Sequence, residues 1–340
     1  MKHATDYYGK ELLLLSTPAR ARLTQEAFRY WRLEGFPFPT VRNDQVTNEL
    51  RNLQHYDRSR LLRTLRKPSM VGLALANSFH PQIWEARVRG KSALDVFYDD
   101  SSFQASLTRA PRMWLHRKCW SAACIRMLSG LQNRSRVANF RPTVSRVVAA
   151  TLSESKSRIL DFCAGYGGRY LGIATLDRFY FGIDAALRQI AGLSQMSQCL
   201  SPLVPSQAQF HCGGAEDVLQ DLESRSFDLV FTSPPYFRLE KYEDNERQCW
   251  RKYSSYHDWR ECFLSRVLKE SLRVLRPGGV LAINLANYGP YSIADDFEAL
   301  CRQQFKRRVH VWKIFMSTNP RFKKASGVHT KSEPLFIIRN

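Results

Sequence analysis

The sequence predicts an α/β fold: a parallel sheet with helices on both faces, preceded by a mainly helical, basic region. Three observations carry this. From Arg158 onward, short apolar runs alternate with stretches of helical pattern. The first of these runs opens directly into a glycine-rich loop, "CAGYGG" (163–168). The preceding residues show no such alternation, and residues 1–150 hold 25 Lys+Arg against 11 Asp+Glu, a net +14.

Each element has its own signal. "RILDF" (158–162) is a buried strand, followed by a helix near Arg169–Leu176. "FYFGIDA" (179–185) is a second strand, and 186–200 has helical periodicity. "AQFHCG" (208–213) is a third strand, leading into the acidic "AEDVLQDL". "FDLVFTS" (227–233) is a fourth, and an irregular polar and aromatic stretch follows it. A long helix from about His257 to Leu275 stops at "RPGG", and "VLAINLA" (280–286) is the fifth strand. A helix near 293–303 and two runs, "RVHVWKIF" (308–315) and "EPLFIIRN" (333–340), complete the sheet as an edge hairpin. Upstream, helical stretches are expected at 23–33, 44–65 and 112–128. The division falls between 1–138, a basic region, and 139–340, the sheet domain.

The whole chain of 340 residues carries a net charge of +20, which favours a polyanionic partner, nucleic acid before membrane. No apolar run approaches the ~18 residues of a membrane span, and "LLLLS" is too short for a signal-peptide core. A cytoplasmic setting is expected. The eight cysteines form no CxxC pair and no zinc spacing, so no metal is expected.

The glycine loop and the strand ends define a ligand site. Asp161 and Phe162 lead into the loop, where Gly165 and Gly167 allow a tight bend and close backbone approach. Asp184 ends the second strand, where a carboxylate can accept both hydroxyls of a ribose. Glu216 and Asp217 follow the third, where a carboxylate can accept an adenine amino group. Acidic groups at successive strand ends describe an adenosine site at the carboxyl edge of the sheet. Arg169 follows Gly168, so the long G-x-G-x-x-G of dinucleotide enzymes is absent.

"TSPPYF" (232–237) closes the fourth strand. Its prolines fix the backbone and remove two N–H donors, which frees a carbonyl to face a ligand. Ser233 adds a hydroxyl and Tyr236 a flat face, the set needed to hold an exocyclic amine on a planar base.

"LDFCAGYGG" followed by "TSPPYF" resembles the amino-methyltransferases of DNA, which use S-adenosyl-L-methionine to methylate exocyclic base nitrogens. The resemblance covers 139–340 and implies a Rossmann-like class I methyltransferase sheet. It implies that Ser233, Pro234, Pro235 and Tyr236 are the catalytic tetrad, and that Gly165, Gly167, Asp184 and Asp217 line the cofactor. "NFRPT" (139–143), with Phe140, Arg141, Pro142 and Thr143, resembles the motif that caps the methionine end. Ser in the first tetrad position is commoner in cytosine-N4 enzymes, Asp or Asn in adenine-N6 enzymes. No Pro-Cys dipeptide of the cytosine-C5 type occurs, so direct transfer to nitrogen of a flipped base in double-stranded DNA is expected.

"RLLRTLRKP" (60–68), "RAPRMWLHRKCW" (109–120) and "NRSRVANFR" (133–141) interleave cations with apolar or aromatic residues and read as phosphate-contacting surface. Arg109, Arg112, Arg117 and Lys118 are the candidates there, with Phe237, Arg238 and Lys241 beside the proline shelf. Other readings stay open: an adenine-N6 enzyme, a methyltransferase of RNA or protein, or a nucleic-acid-binding protein that has lost turnover. No nuclease motif is evident; the biological setting, restriction–modification included, and the oligomeric state stay open.

Overall fold

A computed structural model describes residues 2–88, 90–131, 137–305, 310–317 and 332–340. Residues 133–136 of the third basic stretch, and 308–309 of the penultimate strand-like run, lie outside them. The described strands are β1 (Arg87–Val88), β2 (Arg158–Asp161), β3 (Phe179–Asp184), β4 (Gln207–Cys212), β5 (Phe227–Thr232), β6 (Glu240–Lys241), β7 (Leu275–Asn284), β8 (His310–Ser317) and β9 (Ser332–Arg339).

The chain divides into two compact units. One comprises Met1–Pro39, Pro81–Ala138 and Glu240–Tyr242; the other comprises Thr40–His80, Asn139–Leu239 and Glu243–Asn340. Residues 40–80 therefore fold with the sheet.

The first unit is helical apart from the ribbon of β1 with β6. Helix Thr17–Glu34 starts at Ser16, whose hydroxyl accepts from the Ala19 amide, and stops at Gly35 with φ +78°. It buries Trp31, whose indole donates to the Trp120 carbonyl at 3.0 Å, while the Trp120 indole donates to the Leu107 carbonyl at 3.0 Å. The single helix expected over 112–128 is instead two, Asp100–Met113 and Ala122–Leu131. The carbonyls of Leu115 and Arg117 accept from the amides of Lys10 and Gly9, so tertiary pairing takes the intervening backbone out of the helix.

In the second unit the strand order is β4-β3-β2-β5-β7-β9-β8. β2, β3, β4, β5 and β7 are parallel; β9 runs antiparallel to both β7 and β8. The chain runs outward from β2 through β3 to β4, then returns to β5 on the other side of β2. That reversal opens a crevice at the carboxyl ends of β2 and β5. This is the expected Rossmann-like class I methyltransferase sheet. Alternate strand residues feed two cores. Leu160, Val230 and Leu281 pack with Trp259, Phe263 and Leu268. Ile159, Leu229 and Val280 pack with Val147, Leu171 and the residue 40–80 side chains Leu50, Leu53 and Leu65.

Two further expectations change. The helix expected over 44–65 breaks after Gln54, where Asp57 accepts from the Ser59 amide at 2.9 Å and starts a tighter turn. The long helix after residue 256 carries a π-helical turn at Arg260–Ser265, a feature frequent at functional sites.

Candidate active site

The loop after β2 is built around a buried ion pair. Asp161, fully buried, accepts from Arg169 Nε at 2.7 Å and from the Tyr180 hydroxyl at 2.8 Å. Arg169 also donates to the Cys163 carbonyl, which closes the loop on itself. Asp161, expected at the cofactor, is thus a support of the loop rather than part of its surface. Phe162 is likewise buried in the core, at 1% exposed.

The "NFRPT" segment reaches the same loop. The Asn139 amide donates to the Tyr166 carbonyl at 2.8 Å, and its oxygen accepts from the Gly168 amide at 3.2 Å. A Cβ at Gly168 would collide with the Phe140 carbonyl oxygen, so only glycine permits this approach. The Phe140 ring meets Phe231 edge-on and lies under the Arg169 guanidinium. Arg141 donates to the Pro68 carbonyl at 3.0 Å, and Thr143 is fully buried. Gly167 sits at φ +73° and opens the helix Gly168–Ala174.

At the end of β3, Asp184 accepts from the amides of Gly165 at 2.8 Å and Ala186 at 2.9 Å. Burial raises its pKa to about 6, against the pull of those two amides. At the end of β4, Glu216 is 3% exposed and accepts from Lys252 Nζ at 2.5 Å and the Tyr253 hydroxyl at 2.6 Å. Lys252 also reaches Asp217 Oδ2 at 2.8 Å. These two clasp residues escaped the sequence reading, because they stand in the irregular stretch some 35 residues downstream.

The shelf follows β5. Ser233 and Tyr236 are partly exposed, and Pro234 is buried. The Ser233 hydroxyl lies 3.5 Å from Asn284 Oδ1 at the end of β7. Phe237 adopts φ +52°, a strained conformation for a bulky residue. Its ring is 3% exposed and packs against Tyr256, Trp259 and Tyr291. Phe237, expected at the DNA, is therefore the anchor under the shelf. Arg238 donates to the carbonyls of Tyr253 and Ser254, both at 3.0 Å, which ties the shelf to the clasp segment.

The structure thus brings Gly165, Gly167, Asp184, Glu216, Asp217 and Ser233–Tyr236 to one edge of one sheet. In the other unit, Arg109 and Arg112 lie one turn apart on an exposed helix face, and Arg117 and Lys118 are exposed beyond it. Lys118 is paired with Asp6 at 2.7 Å. Lys241 lies on β6 and is exposed. Among the described residues no group of three or more His, Cys, Asp or Glu could hold a metal ion, and no helix is long and apolar enough to cross a membrane.

The strand order and pairing define a Rossmann-like fold of the class I methyltransferase type. Residues 227–340 match the DNA methylase family of N6/N4 type. The methyl donor of that family is S-adenosyl-L-methionine. The chain is 34% identical over 76 residues to the Type II methyltransferase M.BglI of Bacillus subtilis, a match spanning 22% of this chain and 19% of that protein. Among solved structures, TrmN from Thermus thermophilus aligns with TM-score 0.40 at 13% identity, over 58% of this chain and 48% of that one. SMU.1697c from Streptococcus mutans, in complex with SAH, aligns with TM-score 0.39 at 13% identity, over 60% of this chain and the whole of that one.

Proposed function

We propose that the chain is a site-specific DNA methyltransferase that transfers a methyl group from S-adenosyl-L-methionine to cytosine N4. The observation that carries this reading is Ser233 at the head of a proline shelf, on the same sheet edge as a loop and acidic strand ends suited to adenosine. The loop would take the cofactor at Gly165, where an added Cβ would meet only the Cys163 carbonyl oxygen at 3.9 Å; this backbone lies between Asp184 and the "NFRPT" turn. When bound, the cofactor supplies an activated methyl on a sulfonium, which is already a good leaving group. Asp184 would accept the ribose hydroxyls. Glu216 and Asp217, at the ends of the Lys252 clasp, would meet the adenine. Phe140–Thr143 would close the methionine end.

At the shelf, the Ser233 hydroxyl and a shelf carbonyl would accept the two N–H groups of the base, and Tyr236 would cover its face. The amine lone pair would take the methyl directly, the methyl–sulfur electron pair would remain with the leaving sulfide, and the surplus amine proton would leave to solvent. The protein's contribution is alignment and stabilisation of the positive charge that develops on the amine. The base must leave the duplex stack, at a cost of a few kcal/mol, offset by backbone contacts from the basic region 1–138.

Expression in a methylation-free host, followed by mass spectrometry of DNA and RNA nucleosides, tests this. N4-methylcytosine in DNA is the expected product. N6-methyladenine would move the target to adenine, and label confined to RNA would overturn the substrate. Ser233→Ala and Tyr236→Ala should each lower turnover by about a hundredfold or more, the scale of lost transition-state contacts. Calorimetry should find cofactor affinity within a few-fold of wild type.

A further inference from the structure

We infer that Asn77 is a positioning residue for the cofactor: its side-chain oxygen fixes the Asn139 carboxamide, which in turn holds the two peptide groups that flank Gly167. The inference rests on reading the glycine loop as the cofactor site.

The geometry can be followed outward from the backbone. Gly167 sits at φ +73° between the Tyr166 carbonyl and the Gly168 amide. A carbonyl only accepts and an amide N–H only donates. The Asn139 side chain meets both. It donates from Nδ2 to the Tyr166 carbonyl at 2.8 Å and accepts at Oδ1 from the Gly168 amide at 3.2 Å. The backbone thereby fixes which way the carboxamide faces, and one N–H on Nδ2 is left over. Asn77 Oδ1 accepts that N–H at 2.8 Å. Asn77 is 6% exposed, so water has little access to take its place.

The end of helix Leu73–Ser78, which carries Asn77, is seated against the same loop. Just beyond it, the His80 ring meets Tyr166 edge-on at 6.1 Å, and a Cβ at Gly167 would lie 3.0 Å from His80 Cε1. These contacts fall on Tyr166, Gly167 and Gly168, and leave Gly165 partly exposed. A loop held in one conformation binds more tightly, because the cost of ordering it is met before the ligand arrives. Removing the Asn77 acceptor strands an Asn139 N–H, and the carboxamide can then turn and release the bend at Gly167. The loss should fall on cofactor binding and spare the transfer step, since the bound cofactor itself orders the loop. Residues 40–80 would then be part of the cofactor site, although they lie upstream of the sheet domain that the sequence marks out.

The test uses the full chain, with calorimetry against S-adenosyl-L-methionine and turnover on duplex DNA from a methylation-free host. Asn77→Leu, close in volume but without an acceptor, should weaken cofactor affinity about five- to fiftyfold, the scale of one buried donor left unpaired. Its kcat at saturating cofactor and its KM for DNA should stay within about threefold of wild type. Asn77→Asp keeps the acceptor and should restore most of the lost affinity. In the ligand-free chain, hydrogen exchange over 163–168 should quicken in Asn77→Leu and stay near wild type in Asn77→Asp. Adding Asn77→Leu to Asn139→Leu should weaken binding no further, because the two act through one contact. Should Asn77→Leu not fold, Asn77→Ala takes its place with the same expectations. Wild-type affinity without the acceptor, or an equal loss in Asn77→Asp, overturns the inference while Asp184→Asn still weakens binding. If Asp184→Asn also binds as wild type does, the loop reading falls, and this inference with it.

Discussion

The two sides of the site are built differently. On the cofactor side, each carboxylate is held by close partners. Asp161 is held by Arg169 and Tyr180, Asp184 by two backbone amides, and Glu216 by Lys252 and Tyr253. On the base side, Ser233 has one long contact, to Asn284, and the shelf rests on a strained Phe237 over an aromatic cluster. The first side is a rigid cradle whose charges are satisfied before any ligand arrives. The second holds the Ser233 hydroxyl by a single long contact among the described residues. Disturbing the cradle's buried ion pair should therefore cost stability, and disturbing the shelf should cost turnover.

The largest effect on stability is expected at Arg169. Its side chain and that of Asp161 are 6% and 0% exposed, and they meet at 2.7 Å. Removing one partner strands the other charge in the core, at a cost of about 3–5 kcal/mol. Arg169→Met should lose that much by urea unfolding, and Asp161→Asn in addition should restore part of it, because the two sites are coupled. Ser233→Ala, by contrast, should unfold within ~0.5 kcal/mol of wild type, as substitutions away from buried networks do. If Arg169→Met were neutral and Ser233→Ala costly, the two sides would have to be exchanged.

The same contrast explains what could be read from the sequence. The cradle is made of short-range neighbours: strand, loop and helix follow within a dozen residues, so apolar runs and glycines announce it. The five parallel strands were legible for the same reason. The base side joins β5, β7 and β9: Ser233 meets Asn284, and Asn284 meets the Pro334 carbonyl only across an antiparallel pairing that no local pattern encodes. Lys252 sits in a stretch whose composition suggests only an exposed loop. The helices misjudged at 44–65 and 112–128 were overridden by an aspartate-capped turn and by pairing with Gly9 and Lys10, both decided by partners distant in sequence or by a single cap.

A smaller effect separates cradle from ligand. Asp184 titrates near 6, raised by burial, so its ionised form predominates only above that pH. An ionised carboxylate accepts ribose hydroxyls through charge-assisted bonds of about 1.5–3 kcal/mol. Cofactor affinity measured by calorimetry should therefore rise with pH through about 6 and level off above it. Asp184→Asn should bind more weakly at pH 7 and lose this dependence. The sign for the ligand-free protein is opposite. A carboxyl whose folded pKa exceeds its unfolded value contributes less stability as pH rises through that window. Asp184→Asn should thus not destabilise the free protein near neutrality. A pH-independent cofactor affinity in wild type would detach Asp184 from the ribose.

The smallest effect concerns the DNA contacts proposed for the other unit, and it sets two basic faces against each other. Arg109, Arg112 and Arg117 are exposed, with no ion pair among the described residues, whereas Lys118 is held by Asp6. The sheet unit has its own exposed set, Arg63, Arg66 and Lys67, in and just after helix Leu61–Arg66, whose Leu65 is packed into the core. Each phosphate contact contributes about 0.9 to the slope of log affinity against log salt. Neutralising Arg109, Arg112 and Arg117 should flatten that slope by up to roughly three units, with Lys118 adding less because its charge is already shared. The matching triple variant at Arg63, Arg66 and Lys67 is the internal control. A flattened slope in the first variant alone assigns the backbone contacts to the helical unit. Flattening in the second alone moves them to the sheet unit and turns the Arg109–Lys118 face into solvated helix surface.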